Sequence, residues 1–149
     1  MKALVVYHSL FGNTKKIAET IGEQLGNGSV KVKPIQQLTG TDFQGLDLLV
    51  LGTPTHKLTI PEEAREVINR LPGKSLTDVK VAAFDTSMKV NWFADLFHAS
   101  GQLLSRLRRL GGKAASQPAI FWVTGFKGPL KDGEIERAKT WAKSLTKGG

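Results

Sequence analysis

The stretch that decides the fold runs Ala3-Leu-Val-Val-Tyr-His-Ser-Leu-Phe-Gly-Asn-Thr-Lys-Lys-Ile-Ala18. It opens with a short apolar run of strand-forming residues and then passes abruptly into a polar loop. A helical pattern follows at once, because Ile17, Ile21 and Leu25 recur every fourth residue. We therefore predict a buried strand and then a helix over about residues 14–25, with the loop lying at the helix N-terminus.

That loop, Ser9-Leu10-Phe11-Gly12-Asn13-Thr14, brings hydroxyls, an amide and free backbone N–H groups to the start of the helix. N–H groups in the first turn of a helix have no intrahelical acceptor, and the helix macrodipole places roughly half a positive charge beside them, which suits a phosphate. Neither G-x-G-x-x-G nor G-x-x-x-x-G-K-[ST] can be read across residues 8–16, which argues against a dinucleotide and against a triphosphate on Mg²⁺. The pattern fits a terminal monophosphate ester held by hydrogen bonds. The alternative is an ordinary strand-to-helix turn with Ser9 or Asn13 as the N-cap.

Strand and helix patterns alternate five times along the chain. After the first pair, the apolar patterns predict strands at residues 30–35, 46–51, 79–84 and 119–123, and helices at about 61–71, 93–110 and 133–145. Regular alternation implies right-handed βαβ crossovers. We predict one α/β domain over residues 1–149, a three-layer doubly wound parallel sheet of five strands in the order 2-1-3-4-5.

This topology also predicts where a ligand would lie. In doubly wound sheets the ligand binds beyond the carboxyl ends of the strands where the strand order reverses, here between strands 1 and 3. Three loops should converge there, at residues 9–14, 53–58 and 85–92. The second and third loops offer hydroxyls, backbone groups and soft apolar side chains. Their candidate ligand contacts are Thr53, Pro54, Thr55, His56 and Lys57, and Asp85, Thr86, Ser87, Met88 and Lys89.

The motif S-x-x-G-N-T after a first strand resembles the phosphate loop of flavodoxins, which bind FMN. The resemblance implies that residues 9–14 hold the phosphate and that the other two loops flank the flavin ring. It implies an electron carrier that serves redox proteins. Two departures stand out: the middle loop lacks an aromatic residue, and His56-Lys57 stands where many flavodoxins have a glycine peptide, so a positive φ there should cost about 1 kcal/mol.

The composition narrows the class of protein. Lys and Arg number 21 against 13 Asp and Glu, and this net charge of +8 favours acidic partners, anionic lipid or nucleic acid. For the electron carrier that the resemblance implies, we expect redox partners with an acidic docking face and consider nucleic acid an unlikely ligand. The absence of cysteine excludes disulfides and thiolate metal sites. Because no apolar run approaches the roughly 20 residues of a membrane span, we expect a cytoplasmic protein without stable membrane insertion.

Two other functions remain open from the sequence. One is a flavin-dependent oxidoreductase on the same fold, of the quinone reductase or protoporphyrinogen oxidase type. Its substrate or membrane edge would comprise Lys89, Val90, Trp92, Phe93 and Phe97. The other is a flavin-free binding module that contacts anionic partners through a basic cluster, whose members are Arg106, Arg108, Arg109 and Lys113.

Overall fold

The computed structural model describes residues 1–26, 29–89, 92 and 96–146. The described strands are β1 (Ala3–Tyr7), β2 (Val30–Pro34), β3 (Leu48–Pro54), β4 (Lys80–Met88), β5 (Lys113–Ala114) and β6 (Ala119–Val123). The described helices are α1 (Asn13–Leu25), α2 (Glu62–Asn69), α3 (Ala99–Arg109) and α4 (Glu134–Ser144), with short 3₁₀ turns at Ile35–Gln37 and Gly40–Phe43.

The strands form one parallel sheet in the order β2-β1-β3-β4-β5, and β6 pairs with the second half of β4. Val5 of β1 lies opposite Val32 on one side and Val50 on the other. The predicted α/β class and the order 2-1-3-4-5 are confirmed. The predicted fifth strand corresponds to β6 alone, whereas β5 was not predicted because its two residues are exposed and carry no apolar pattern.

Two apolar cores, one on each face of the sheet, make the structure three-layered. Side chains of β3 alternate between them, so Leu49 and Leu51 pack with α2 and α3. Leu48 and Val50 point the other way, towards α1 and α4. Strands covered on both faces read as continuous apolar runs, which is why β3 and β4 are so apolar.

The predicted ends of two strands, β3 and β4, are wrong, and both lie at the carboxyl edge of the sheet. Residues 85–88 were assigned to a loop but belong to β4, because this stretch pairs with β3 at Thr53 and Pro54 and with β6 on the other side. Residues 53 and 54 likewise belong to β3.

The long helix predicted over 93–110 begins instead at Ala99. Leu96 and Phe97 fall within the predicted range, but they lie outside the helix and are exposed. Phe93 lies outside the described residues. The later start has a physical cause: the first backbone N–H groups of α3 are capped by Thr55 and Asp85, which belong to the edge of the sheet.

Candidate functional site

The loop between β1 and α1 presents a row of backbone donors. Gly12 is the N-cap of α1, with a left-handed φ of 91°, and no side chain caps the helix. Its own N–H donates to Ser9 Oγ at 2.9 Å, and the first helical bond runs from Lys16 N–H to the Gly12 carbonyl. Among the described residues, no acceptor is found for the N–H groups of Leu10, Phe11, Asn13, Thr14 and Lys15. The alternative with Ser9 or Asn13 as N-cap is therefore wrong, and these donors remain for an anion.

Side chains of the same loop tie it to distant parts of the chain. The Thr14 hydroxyl is buried and lies 2.8 Å from the Thr86 hydroxyl in β4. The Asn13 amide donates to the Lys127 carbonyl at 3.2 Å. The loop is thus held from two sides, which keeps its N–H groups in a fixed arrangement.

The segment after β3 forms a tight hairpin. His56 and Thr59 exchange both backbone hydrogen bonds, at 2.9 and 3.0 Å, and Lys57 and Leu58 between them have φ values of 49° and 66°. Two positive φ values at the central positions define a type I′ turn, which normally takes Asn-Gly. The expected cost of a positive φ at Lys57 is therefore present, and Leu58 adds a second, each about 1–2 kcal/mol.

The carboxyl end of β4 carries a buried polar network. Asp85 is fully buried, and its carboxylate accepts hydrogen bonds from the Ser87 hydroxyl and, at 2.9 Å, from the Ser100 N–H. Ser87 Oγ also lies 3.1 Å from Thr55 Oγ1. His98 Nδ1 lies 3.1 Å from Ser87 Oγ and 3.5 Å from the Asp85 carboxylate. Asp85 therefore holds the start of α3 and orients Ser87 and His98.

These segments enclose a cavity of about 380 Å³ at the carboxyl edge of the sheet. Eleven of the sixteen predicted site residues line it: Leu10, Phe11, Asn13, Thr14, Pro54, Thr55, His56, Lys57, Thr86, Ser87 and Met88. Ser9, Gly12, Thr53, Asp85 and Lys89 do not. Ser9 and Gly12 shape the phosphate loop, and Thr53 and Asp85 are fully buried below the cavity. Lys89 lies over the Trp122 ring, 5.6 Å from its centroid.

Five lining residues were not among the predicted cofactor contacts: Leu58, Phe97, His98, Val123 and Phe126. Residue 58 nevertheless belongs to the predicted middle loop, and Phe97 was named for the enzyme alternative. Phe126 belongs to a fourth loop, residues 124–130, which follows β6. Its ring packs edge-on against Phe11 with centroids 5.3 Å apart. This loop could have been predicted from the sequence. It follows the carboxyl end of a predicted parallel strand, and ligands bind at that edge of such sheets.

Among the described residues that line the cavity, Lys57 carries a positive charge and none carries a carboxylate. Behind the phosphate loop, burial lowers the pKa of His8, and the neighbouring Glu63, 3.8 Å away, partly opposes that change. In the part of the chain that the structure describes, no group of His, Asp and Glu side chains is arranged to hold a metal ion.

The basic cluster on α3 lies apart from the cavity lining. Arg106, Arg108 and Arg109 occupy the last turn of the helix, where cations offset the negative end of the macrodipole. Arg106 also donates to the Asn69 side chain at 2.8 Å.

The residues present fit a flavin phosphate. Open amides and neutral hydroxyls suit a phosphomonoester, while the mostly apolar cavity with hydroxyls from Thr55, Thr86 and Ser87 suits a flat ring with a polar edge. A family model for the flavodoxin domain matches residues 4–113. The chain belongs to the flavodoxin family.

Relatives among known proteins agree with this flavodoxin assignment. A flavodoxin-like domain-containing protein, BilS of Clostridioides difficile, is 34% identical over 137 residues, covering 89% of this chain and 73% of its own. A flavodoxin of Synechocystis is 29% identical over 120 residues, covering 79% and 68%. An archaeal flavodoxin structure superposes with a TM-score of 0.80 at 21% identity, covering 97% of this chain and 96% of its own. Flavodoxin 2 from Bacillus cereus also gives 0.80, at 20% identity and 97% coverage of both chains.

The chain is accordingly a flavodoxin-like electron-transfer protein of a flavin-binding family. Among the described residues, no helix has the length and apolar character needed to cross a membrane.

Proposed function

We propose that this protein binds FMN in the cavity at the carboxyl edge of the sheet and passes electrons between redox proteins. The observation that carries the proposal is the row of N–H groups around Gly12 that have no protein acceptor among the described residues. A cytoplasmic location belongs to the same proposal.

The phosphate would be held by the phosphate loop. A phosphomonoester carries about −1.5 to −2 charges at pH 7 and accepts several hydrogen bonds. The N–H groups of residues 10, 11 and 13–15 supply donors, and the positive end of α1 favours the charge. Ser9 acts indirectly, since its hydroxyl accepts the Gly12 N–H and so sets the curvature of the loop. Thr14 contributes a hydroxyl whose position is fixed by Thr86.

The ring would lie between the I′ turn and the end of β4. Pro54 and Leu58 offer apolar contacts on one side, and Met88 offers a soft, polarizable contact on the other. The Thr55 and Ser87 hydroxyls, 3.1 Å apart, can bond a polar ring edge. Bound flavin supplies the redox chemistry, while these side chains orient it and limit its contact with water.

The mouth of the cavity suits a partner with an acidic docking face. Six large apolar side chains that line the cavity are also exposed at its rim: Leu10, Phe11, Leu58, Met88, Phe97 and Phe126. Lys57 and Lys89 add positive charge at this edge. Apolar contact surrounded by cations favours docking of a protein whose own redox centre is bordered by carboxylates.

The test is a fluorescence titration of the apoprotein with FMN, alongside the absorption spectrum of the complex. In Gly12→Asp, a carboxylate at the phosphate loop should weaken FMN binding at least about a hundredfold, through repulsion and lost amide contacts.

Gly133→Asp is a closely matched control, because Gly133 is the N-cap of α4 with φ 87° and ψ −10°, against 91° and −9° at Gly12. An added Cβ at either glycine would meet nothing within 4 Å. Equal FMN affinity in the two variants would refute the assigned phosphate site.

The enzyme alternative is separated by steady-state kinetics. Oxidation of NADH or NADPH by the FMN complex with a quinone as acceptor would identify a reductase rather than a carrier. Two residues of the edge suggested for that alternative, Val90 and Phe93, lie outside the described residues.

A further inference from the structure

The loop over residues 124–130, here called the latch loop, makes close contact with the phosphate loop. Besides the Phe11–Phe126 ring contact, the Asn13 amide donates to the Lys127 carbonyl. Gly128 has a φ of 95°, and a Cβ added there would lie 2.5 Å from Asn13 Nδ2, so the Gly128 main chain and the Asn13 side chain approach as closely as a glycine permits. The main chain of Lys127 is therefore fixed against the phosphate loop.

The latch loop is also internally braced. Thr124 N–H donates to the Pro129 carbonyl at 2.8 Å, and Gly128 N–H donates to the Gly125 carbonyl at 2.9 Å. The Thr124 hydroxyl reaches the same Pro129 carbonyl at 3.1 Å. A braced loop presents its side chains with little conformational freedom left to lose on binding.

The Lys127 ammonium lies over the phosphate loop. Its Nζ is 5.9 Å from the centroid of the Phe11 ring, one residue from the N-cap glycine. Within the described ranges, no carboxylate lies within 4 Å of this ammonium. Lys15 differs, because it pairs along the outside of α1 with Glu19 at 4.0 Å. Lys127 is thus a cation tethered beside the anion-binding amides and not neutralised by the protein.

We propose that Lys127 balances the charge of the flavin phosphate and makes the site selective for the phosphorylated flavin over riboflavin. The inference rests on the proposed function and adds a residue from a loop that neither the motif nor the three predicted loops include. Backbone amides and hydroxyls bind a phosphate without changing the net charge of the site. An ammonium brings a full positive charge, which favours the phosphate dianion most strongly.

The experiment compares dissociation constants for FMN and for riboflavin, measured by flavin fluorescence at low and high salt. Lys127→Met keeps the apolar stem on Phe11 and removes the charge. It should weaken FMN binding about tenfold at low salt and leave riboflavin binding unchanged. The salt dependence of FMN affinity should also become shallower, because one exposed ion pair is lost. Lys127→Arg should restore most of the affinity.

Lys131→Met is the matched control, since Lys131 is an exposed lysine just after the latch loop whose hydrogen bonds, with Trp122 and Glu134, are made by its main chain. It should leave both affinities unchanged. Equal weakening of FMN and riboflavin by Lys127→Met would overturn the inference, because the residue would then support the ring or the fold. An unchanged FMN affinity in that variant would overturn it as well. Failure of the unaltered protein to bind either flavin would instead overturn the proposed function and this inference together.

Discussion

The hydroxyl groups of Thr14 and Thr86 lie 2.8 Å apart in the interior, although 72 residues separate them in the chain. One residue belongs to the first turn of α1 and the other to the end of β4, so this bond joins the phosphate loop to the floor of the cavity. The two side chains are only 1% and 5% exposed, so each hydroxyl depends mainly on the other for its hydrogen bond.

Replacing either threonine by valine tests that dependence. Thr14→Val and Thr86→Val should each lower the free energy of unfolding by about 1–2 kcal/mol, because each leaves a buried hydroxyl without its partner. The double variant should lower the free energy of unfolding by less than the sum of the two single changes, since the two hydroxyls disappear together. Urea unfolding of the apoprotein measures the cycle, with Thr20→Val as a surface control whose hydroxyl bonds only the Lys16 carbonyl of its own helix. Strict additivity would show that the bond does not form.

Gly52 of β3 is required by its neighbour in β4. An added Cβ at Gly52 would lie 2.0 Å from the Phe84 ring, which is itself fully buried. We expect Gly52→Ala to destabilise the protein by roughly 3 kcal/mol or more, because the ring has no space to move into. Gly101→Ala is the contrasting change, in α3 with open space around it. It should stabilise by up to about 1 kcal/mol through helix propensity. Thermal unfolding measures the melting temperatures of both variants. A Gly52→Ala protein that melts no lower than the unaltered protein would contradict this packing.

The I′ turn at Lys57 and Leu58 should be relieved by glycine. Leu58→Gly removes the left-handed cost of about 1–2 kcal/mol but adds unfolded-state entropy, leaving a net gain of about 0.5 kcal/mol. Lys74→Gly removes a similar strain, at φ 66°, from a turn that does not line the cavity. Both variants should melt at a higher temperature. Only Leu58→Gly should change the flavin potential measured by redox titration. A shift of similar size in both would mean that the turn does not contact the ring.

His8 should make the protein sensitive to acid. Burial lowers its pKa in the folded state below the usual value near 6.5, so the unfolded chain binds the proton more readily. The stability associated with neutral His8 is complete above about pH 6.5 and declines as the pH falls from there towards the lowered folded pKa.

Urea unfolding between pH 5 and 7.5 tests this dependence. His8→Asn should flatten the decline below pH 6.5. Glu63→Gln should steepen it, because Glu63 raises the pKa of His8 and its loss depresses that pKa further. Identical pH profiles for the unaltered protein and His8→Asn would contradict the assignment.

The sequence predicted α1 well because it depends on local signals. Ile17 and Ile21 are fully buried as their spacing requires, and α1 begins at Asn13, one residue before the predicted start. The alternation of elements predicted a parallel sheet with right-handed crossovers, and the strand order was the flavodoxin-like order that five such units fit. The convergence of three loops on one cavity followed in turn from that order.

What the sequence did not predict depends on pairing between distant segments. Asp85, Thr86 and Ser87 have the composition of a loop, yet they form strand because β3 and β6 bond them from both sides. Leu96 and Phe97 fit the apolar spacing of α3, but capping by Asp85 and Thr55 starts that helix later. The contact between Asn13 and Lys127 spans 114 residues and has no local signature.

That last contact has a consequence for how the protein is made. A ribosome translates the latch loop 114 residues after the phosphate loop that it braces. The emerging chain therefore lacks a complete cofactor cradle until the latch loop has left the ribosome, and flavin loading should wait for that point. Supply of cofactor in the cell would then have little influence on how the earlier part of the nascent chain folds.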